Sequence, residues 1–161
     1  TPLFFEGQGD ALWYGDTLVC GYGFRSNQEG TVAALRASGF RRIYLALELI
    51  KKHFYHLDTC FCPLGEDILW YPRAFSPAAR KVIENLLAKT GRSVIASEED
   101  AARFACNGIY FAREGRRVLI TSPLSPRLRR ELDELGVEVW ENDISEFLKS
   151  GGGNKCLFLS L

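Results

Sequence analysis

The sequence predicts an α/β (α+β) chain assembled from repeated strand–strand–helix–strand units. Three observations carry this. Helix-capping residues recur at Asn27, Ser76 and Ser125, a constant 49 residues apart. Each cap follows two short apolar stretches of strand character and precedes one more. The paired strands exclude a doubly wound sheet, in which single strands alternate with helices. A unit recurring at a fixed period is the mark of modular architecture. About three such ββαβ units fit in the 161 residues, with a last strand beginning a fourth or closing onto an absent one.

The first unit opens with a hairpin. Ala11 to Tyr14 and Thr17 to Cys20 carry a period-two apolar pattern hinged at Gly15-Asp16. Asn27 caps a helix running to Ser38, with Val32, Leu35 and Arg36 at helical spacing and Gly39 as its stop. Arg42 to Leu49 reads as a buried strand. The second unit pairs a strand at Phe54 to Phe61 with one at Asp67 to Tyr71. Ser76-Pro77 supplies the cap and first residue of a helix from Pro77 to Lys89, closed by Gly91 and followed by a short strand, Ser93 to Ala96. Ser97 to Ala105 is helical, with Glu98, Glu99 and Asp100 suited to its positive end. The third unit pairs Ile109 to Ala112 with Arg117 to Thr121 across Glu114-Gly115. Ser125-Pro126 opens its helix, which ends at Gly136 before the strand Val137 to Trp140. A short helix from Ile144 to Lys149, three glycines and a terminal strand, Cys156 to Leu161, complete the chain.

The totals limit the function. Lys+Arg and Asp+Glu balance at 20 each, so no bulk field recruits nucleic acid or an anionic membrane. No apolar run approaches the length of a membrane span, and no signal peptide opens the chain. Five cysteines, an odd number without secretory features, read as reduced thiols in a cytoplasmic protein. There is no Met, and Thr1 enters patterned sequence at once. The expectation is a piece of a longer protein.

Three polar clusters carry chemistry. In the first, Glu6 and Asp10 sit among glycines at the head of the hairpin, and Arg25 lies at its far end. The acids can hold a flat cation, and the planar fork of the arginine can hold a carboxylate. In the second, His56, Asp58, Cys60 and Cys62 are spaced two apart and so share one face of the expected strand, with Leu57 and Phe61 facing the packing on the other. A carboxylate beside a histidine suits general acid/base work. A zinc site from His53, His56, Cys60 and Cys62 is disfavoured, because a strand puts the two histidines on opposite faces and the usual cysteine spacing is missing. In the third, Gly151-Gly152-Gly153 leads to Cys156, a nucleophile at an accessible mouth whose thiolate a nearby imidazolium would favour. Cys20 and Cys106 are assigned to the core.

In this order the clusters resemble the guanidine-modifying enzymes of the pentein superfamily: dimethylarginine dimethylaminohydrolases, arginine deiminases and amidinotransferases. The family's acid-G-G-D motif is matched by Glu6-Gly7-Gln8-Gly9-Asp10, with one extra residue. Its R-T-N is matched by Arg25-Ser26-Asn27, its H-L-D-T by His56 to Thr59, and its glycine-rich approach to the nucleophile by Gly151 to Cys156. The resemblance covers essentially the whole chain and is nearest the dimethylarginine hydrolases. It implies a propeller of five ββαβ modules, with residues 1–161 as its C-terminal part and the opening modules absent. It implies that Cys156 attacks the guanidinium carbon, that Glu6, Asp10 or Asp58 bind the guanidinium, and that Arg25 takes the α-carboxylate. His56 then protonates the departing amine and activates water. No metal or organic cofactor is needed, and the partner is a small guanidino molecule, with a homo-oligomer allowed. An amidinotransferase would use the same residues. A non-catalytic propeller module that shields RNA is the rival class, disfavoured by zero net charge and by the presence of all three clusters.

A closed propeller buries the flank of each module on its neighbour. The isolated 161-residue chain should therefore associate and fail to release citrulline. Unpartnered apolar flanks are worth about 25 cal/mol per Å² of surface covered. Light scattering and a citrulline assay, with and without the missing N-terminal part, check this. A monodisperse, active fragment is the contrary result.

Overall fold

A computed structural model describes residues 2–159 and contains three three-stranded sheets. The first comprises β1 (Ala11–Tyr14), β2 (Thr17–Tyr22) and β3 (Tyr44–Glu48), with α1 (Gln28–Ala37) between the last two. The second comprises β4 (Phe61–Leu64), β5 (Asp67–Trp70) and β6 (Ser93–Ile95), with α2 (Pro77–Thr90) as the connection. α3 (Glu98–Ala102) leads to the third, made of β7 (Ile109–Arg113), β8 (Arg116–Thr121), α4 (Pro126–Glu134) and β9 (Glu138–Glu141). α5 (Ser145–Leu148) precedes the glycine run. In every sheet the first two strands pair antiparallel and the third pairs parallel to the second. A parallel partner needs a crossover, and the helix in each unit supplies it.

The caps act as the sequence requires. Asn27, Ser76 and Ser125 accept the backbone N–H of Gly30, Ala79 and Leu128 respectively, each three residues on. Pro77 and Pro126 follow their caps, where a missing N–H costs nothing. The second unit lies in the middle of the core. All four residues of β5 are buried, whereas β7 and β9 of the third unit are largely exposed. Ile83 from α2 and Leu128 and Leu132 from α4 are fully buried, each contributing about 1.5–3 kcal/mol. The flanks of the outer units instead leave Trp13, Phe111, Trp140 and Phe158 exposed.

Two expected strands take another form. Residues 57–59 make a 3-10 turn, so the strand expected from Phe54 begins only at Phe61. Thr59 is the reason: its hydroxyl and its N–H both bond the His56 carbonyl, at 2.6 and 3.2 Å, and compete with sheet pairing. The terminal strand expected at Cys156 is likewise a 3-10 turn, Lys155–Leu157, closed by Phe158 N–H on the Lys155 carbonyl. The last two residues of that expected strand lie outside the described part.

The units are fastened by buried charge. Arg117 on β8 donates to Asp67 Oδ2 and the Leu64 carbonyl of the second unit, both at 2.7 Å, and to the Leu135 carbonyl at 2.9 Å. Asp100 accepts Ser97 Oγ, Ser125 Oγ and Ser125 N–H at 2.7–2.8 Å, tying α3 to the start of α4. Among the described residues no helix is long and apolar enough to cross a membrane. Removing Arg117 leaves the nearly buried Asp67 carboxylate and two carbonyls without that donor. Arg117→Ala should lower the unfolding free energy by about 3 kcal/mol in urea titration. Arg117→Lys, with charge but no fork, should recover less than half of the loss.

Candidate active site

The first strands β1, β4 and β7 lie side by side and wall a cleft of about 420 Å³. Gln8 and Lys155 join its lining from the turns at one end. Those turns have a common character. A 3-10 turn, Gly7–Asp10, leads directly into β1, and Leu57–Thr59 precedes β4. The Phe104–Asn107 loop precedes β7, and Lys155–Leu157 is the last turn of the described chain. Asp10, Asp58 and Cys156 stand on these turns, Glu6 and His56 immediately before two of them, and Arg25 between β2 and α1.

Glu6 is the centre of the first group. Its Oε2 lies 2.8 Å from His56 Nε2, and its Oε1 accepts Arg25 Nε at 3.0 Å. The His56 side chain is only 16% exposed, against 39% for Glu6 and 51% for Arg25. Slight burial pushes the Glu6 carboxyl up, but hydrogen bonds from Arg25 and His56 outweigh it and hold the group below its ordinary range. The His56 ring is seated on Gly9, where a Cβ would stand 2.8 Å from Nδ1. Only glycine permits that approach.

Asp10, expected to bind substrate, is sealed beneath this group. Its Oδ2 accepts Ser26 Oγ at 2.7 Å and its Oδ1 accepts Leu57 N–H at 2.8 Å. Burial raises its pKa against those two hydrogen bonds. In this position it joins the head of the first hairpin to the His56 turn, with both oxygens engaged internally.

Asp58 is different. It is buried beside its turn, and its Oδ1 has no hydrogen-bond partner among the described residues. Burial lifts its pKa to about 6, while positive charge at His56 and Lys155 and the Asn107 amide pull the other way. Cys60 and Cys62 were expected on the same face as His56 and Asp58. The turn breaks that alternation: both thiols are buried in the core, and burial drives both upward, Cys62 to about 11. His53 stands apart, edge-on to Phe54 and Phe104.

Cys156 is the exposed cysteine, and the other four are buried. Two residues that sequence reasoning passed over connect it to the acids and His56. Tyr55 packs edge-on to His56 with ring centroids 5.0 Å apart, lies 5.6 Å under Arg25, and donates its hydroxyl to the Gly151 carbonyl. Burial raises the Tyr55 phenol, with Cys156 and Asp58 adding to the effect. Asn107 donates to the Asp58 carbonyl and accepts from the Lys155 N–H and the Cys156 thiol. The 49-residue period held the signal for it, since Asp58, Asn107 and Cys156 are equivalent positions of successive repeats.

Residues 3–161 match the sequence model of the family described as N,N dimethylarginine dimethylhydrolase, eukaryotic. The chain belongs to this family. It is 42% identical over 160 residues to the bifunctional arginine dihydrolase/ornithine cyclodeaminase ArgZ of Synechocystis sp., covering 98% of this chain and 22% of that protein. It is 35% identical over 158 residues to N(G),N(G)-dimethylarginine dimethylaminohydrolase of Mycobacterium tuberculosis, covering 97% of this chain and 49% of that one. The chain thus spans half or less of the length of these relatives. A crystal structure of the N-terminal domain of ArgZ, covalently bound to a reaction intermediate, superimposes with a TM-score of 0.87 at 40% identity. The match covers 96% of this chain and 56% of that one.

The raised Asp58 pKa has a defined sign for stability. The folded chain holds this proton more tightly than the unfolded chain, whose value is about 3.9. Stability therefore falls as pH rises from about 4 to about 6 and stays at the lower level above that. Asp58→Asn should relieve the penalty, raising the unfolding free energy by up to about 3 kcal/mol at pH 7 and by almost nothing at pH 4. Denaturant titrations of both forms at the two pH values check it.

Proposed function

We propose that the protein containing this chain hydrolyses the guanidino group of arginine or of a methylated arginine through an amidino intermediate on Cys156. One observation carries the reading. A buried acid, Asp58, keeps an oxygen without a partner while its turn is linked through Asn107 to the only exposed cysteine among the described residues. A buried carboxyl oxygen with no hydrogen-bond partner costs stability unless a ligand supplies one, and a guanidinium N–H is a fitting donor. The names of the relatives and the covalent intermediate in the ArgZ domain support the same chemistry.

The steps follow from the groups. Asp58 and Glu6 hold the guanidinium, and Asp10 acts from behind through Leu57. Arg25 spends only its Nε on Glu6 and is half exposed, so its fork suits the α-carboxylate. The Cys156 thiolate forms an S–C bond to the guanidinium carbon. Collapse of the tetrahedral adduct breaks a C–N bond, and the leaving amine takes a proton from His56. His56 then removes a proton from water, which attacks the same carbon and expels the thiolate, leaving a ureido product. Glu6 orients the ring throughout.

We also read the chain as three modules of a closed five-module propeller. The repeated sheets, the exposed apolar flanks and the 56% share of the ArgZ domain structure support it. A cytoplasmic setting suits five free thiols.

The test uses the full-length protein. Cys156→Ser should lower citrulline release by about 10⁴-fold or more, and a haloacetamidine should label Cys156. An added amine acceptor should leave the ureido product dominant, where a transferase would divert it. Labelling at Cys60 or Cys62 with Cys156→Ser still active would remove the assignment.

A further inference from the structure

Asn107 is fully buried in the loop between α3 and β7, and every polar atom of its side chain is engaged across the site. Nδ2 donates to the Asp58 carbonyl at 3.3 Å. Oδ1 accepts the Lys155 N–H at 3.0 Å and lies 3.6 Å from Cys156 Sγ. The Asn107 carbonyl shares the same Lys155 N–H at 3.1 Å. One side chain thus links the turn that carries the buried acid to the turn that carries the exposed thiol.

Its surroundings are shaped to hold it. A Cβ on Gly153 would stand 2.2 Å from Asn107 Oδ1 and 3.0 Å from Phe104 Cδ2, so only glycine allows the nucleophile's loop to pass there. Phe104 sits at φ +62°, a region costly for an aromatic residue, and its carbonyl accepts the Asn107 N–H at 2.9 Å. Such a conformation persists where the surroundings over-determine it. The repeat explains the geometry: Asp58, Asn107 and Cys156 occupy equivalent points of successive units, and each later one bonds the one before.

We propose that Asn107 is the positioning residue for the nucleophile, fixing the Cys156 turn against the Asp58 turn so that sulfur and carboxylate keep one separation. This rests on Cys156 being the nucleophile. Reacting atoms must be held within a fraction of an ångström, and a misplacement of about 1 Å costs on the order of 100-fold in rate. A loss of position acts on the chemical step, whereas Arg25 and Glu6 continue to bind substrate, so kcat and KM should separate.

The experiment uses the full-length protein with arginine and N-methylated arginine as substrates, and unfolding midpoints recorded for every variant. Asn107→Ala should lower kcat by about 100-fold and change KM by less than about threefold. Asn107→Asp keeps an oxygen for the Lys155 N–H but loses the Nδ2 donor to the Asp58 carbonyl and buries a carboxylate beside it, so it should stay close to the alanine rate. Gly153→Ala keeps the Asn107 side chain but forces its Oδ1 or the Cys156 loop to move, and should reproduce the selective kcat loss even where Asn107→Ala folds poorly. A folded Asn107→Ala with unchanged kcat overturns the proposal. So does an Asn107→Asp, or a Gly153→Ala, with wild-type rate. An active Cys156→Ser would instead overturn the catalytic reading, whatever the Asn107 series shows. Should the wild type turn over neither substrate, chloroacetamidine inactivation at Cys156 still reads position: slowed in Asn107→Ala and in Gly153→Ala.

Discussion

The candidate site depends on side-chain oxygens of one unit capturing main-chain N–H groups of a later turn. Asp10 Oδ1 takes the Leu57 N–H, and Asn107 Oδ1 takes the Lys155 N–H. Each bond is buried or nearly so, and a backbone donor left without its acceptor there would cost about 1–3 kcal/mol. The turns therefore cannot shift independently. His56 and Asp58 ride on one captured turn, and Cys156 rides on the other.

With the frame set, the carboxyls can be tuned apart. Glu6 stands near the surface between Arg25 and His56, whose hydrogen bonds favour its ionised form. Asp58 stands out of water with one oxygen unpaired and is pushed toward protonation. Two acids driven in opposite directions by their surroundings mark different tasks. The one beside His56 is held toward its charged form, and the one out of water carries a desolvation penalty when ionised. The fold tolerates that penalty because the middle unit, from which Asp58 comes, has the most deeply buried sheet.

Local rules were enough for most of the architecture. The caps at Asn27, Ser76 and Ser125, the two-residue hairpin turns and the fixed period all act over fewer than five residues or by simple repetition. The same rules failed from His56 to Phe61, where apolar alternation suggested a strand. A threonine hydroxyl returning to the His56 carbonyl closes a turn there instead. They failed again at Cys156, where a 3-10 turn replaces the strand.

The sequence by itself determined the three ββαβ units and the family, because periodicity, capping and short motifs are written in neighbouring positions. Which groups meet was decided only by the tertiary structure. Asp10 and Asp58 are both aspartates on turns, yet one has its oxygens filled by Ser26 and Leu57 and the other keeps an oxygen unpaired. Tyr55 and Asn107 carry no motif, and their importance comes from partners 96 and 49 residues away. Burial and hydrogen bonding across units separate these residues, and both depend on where distant segments come to rest.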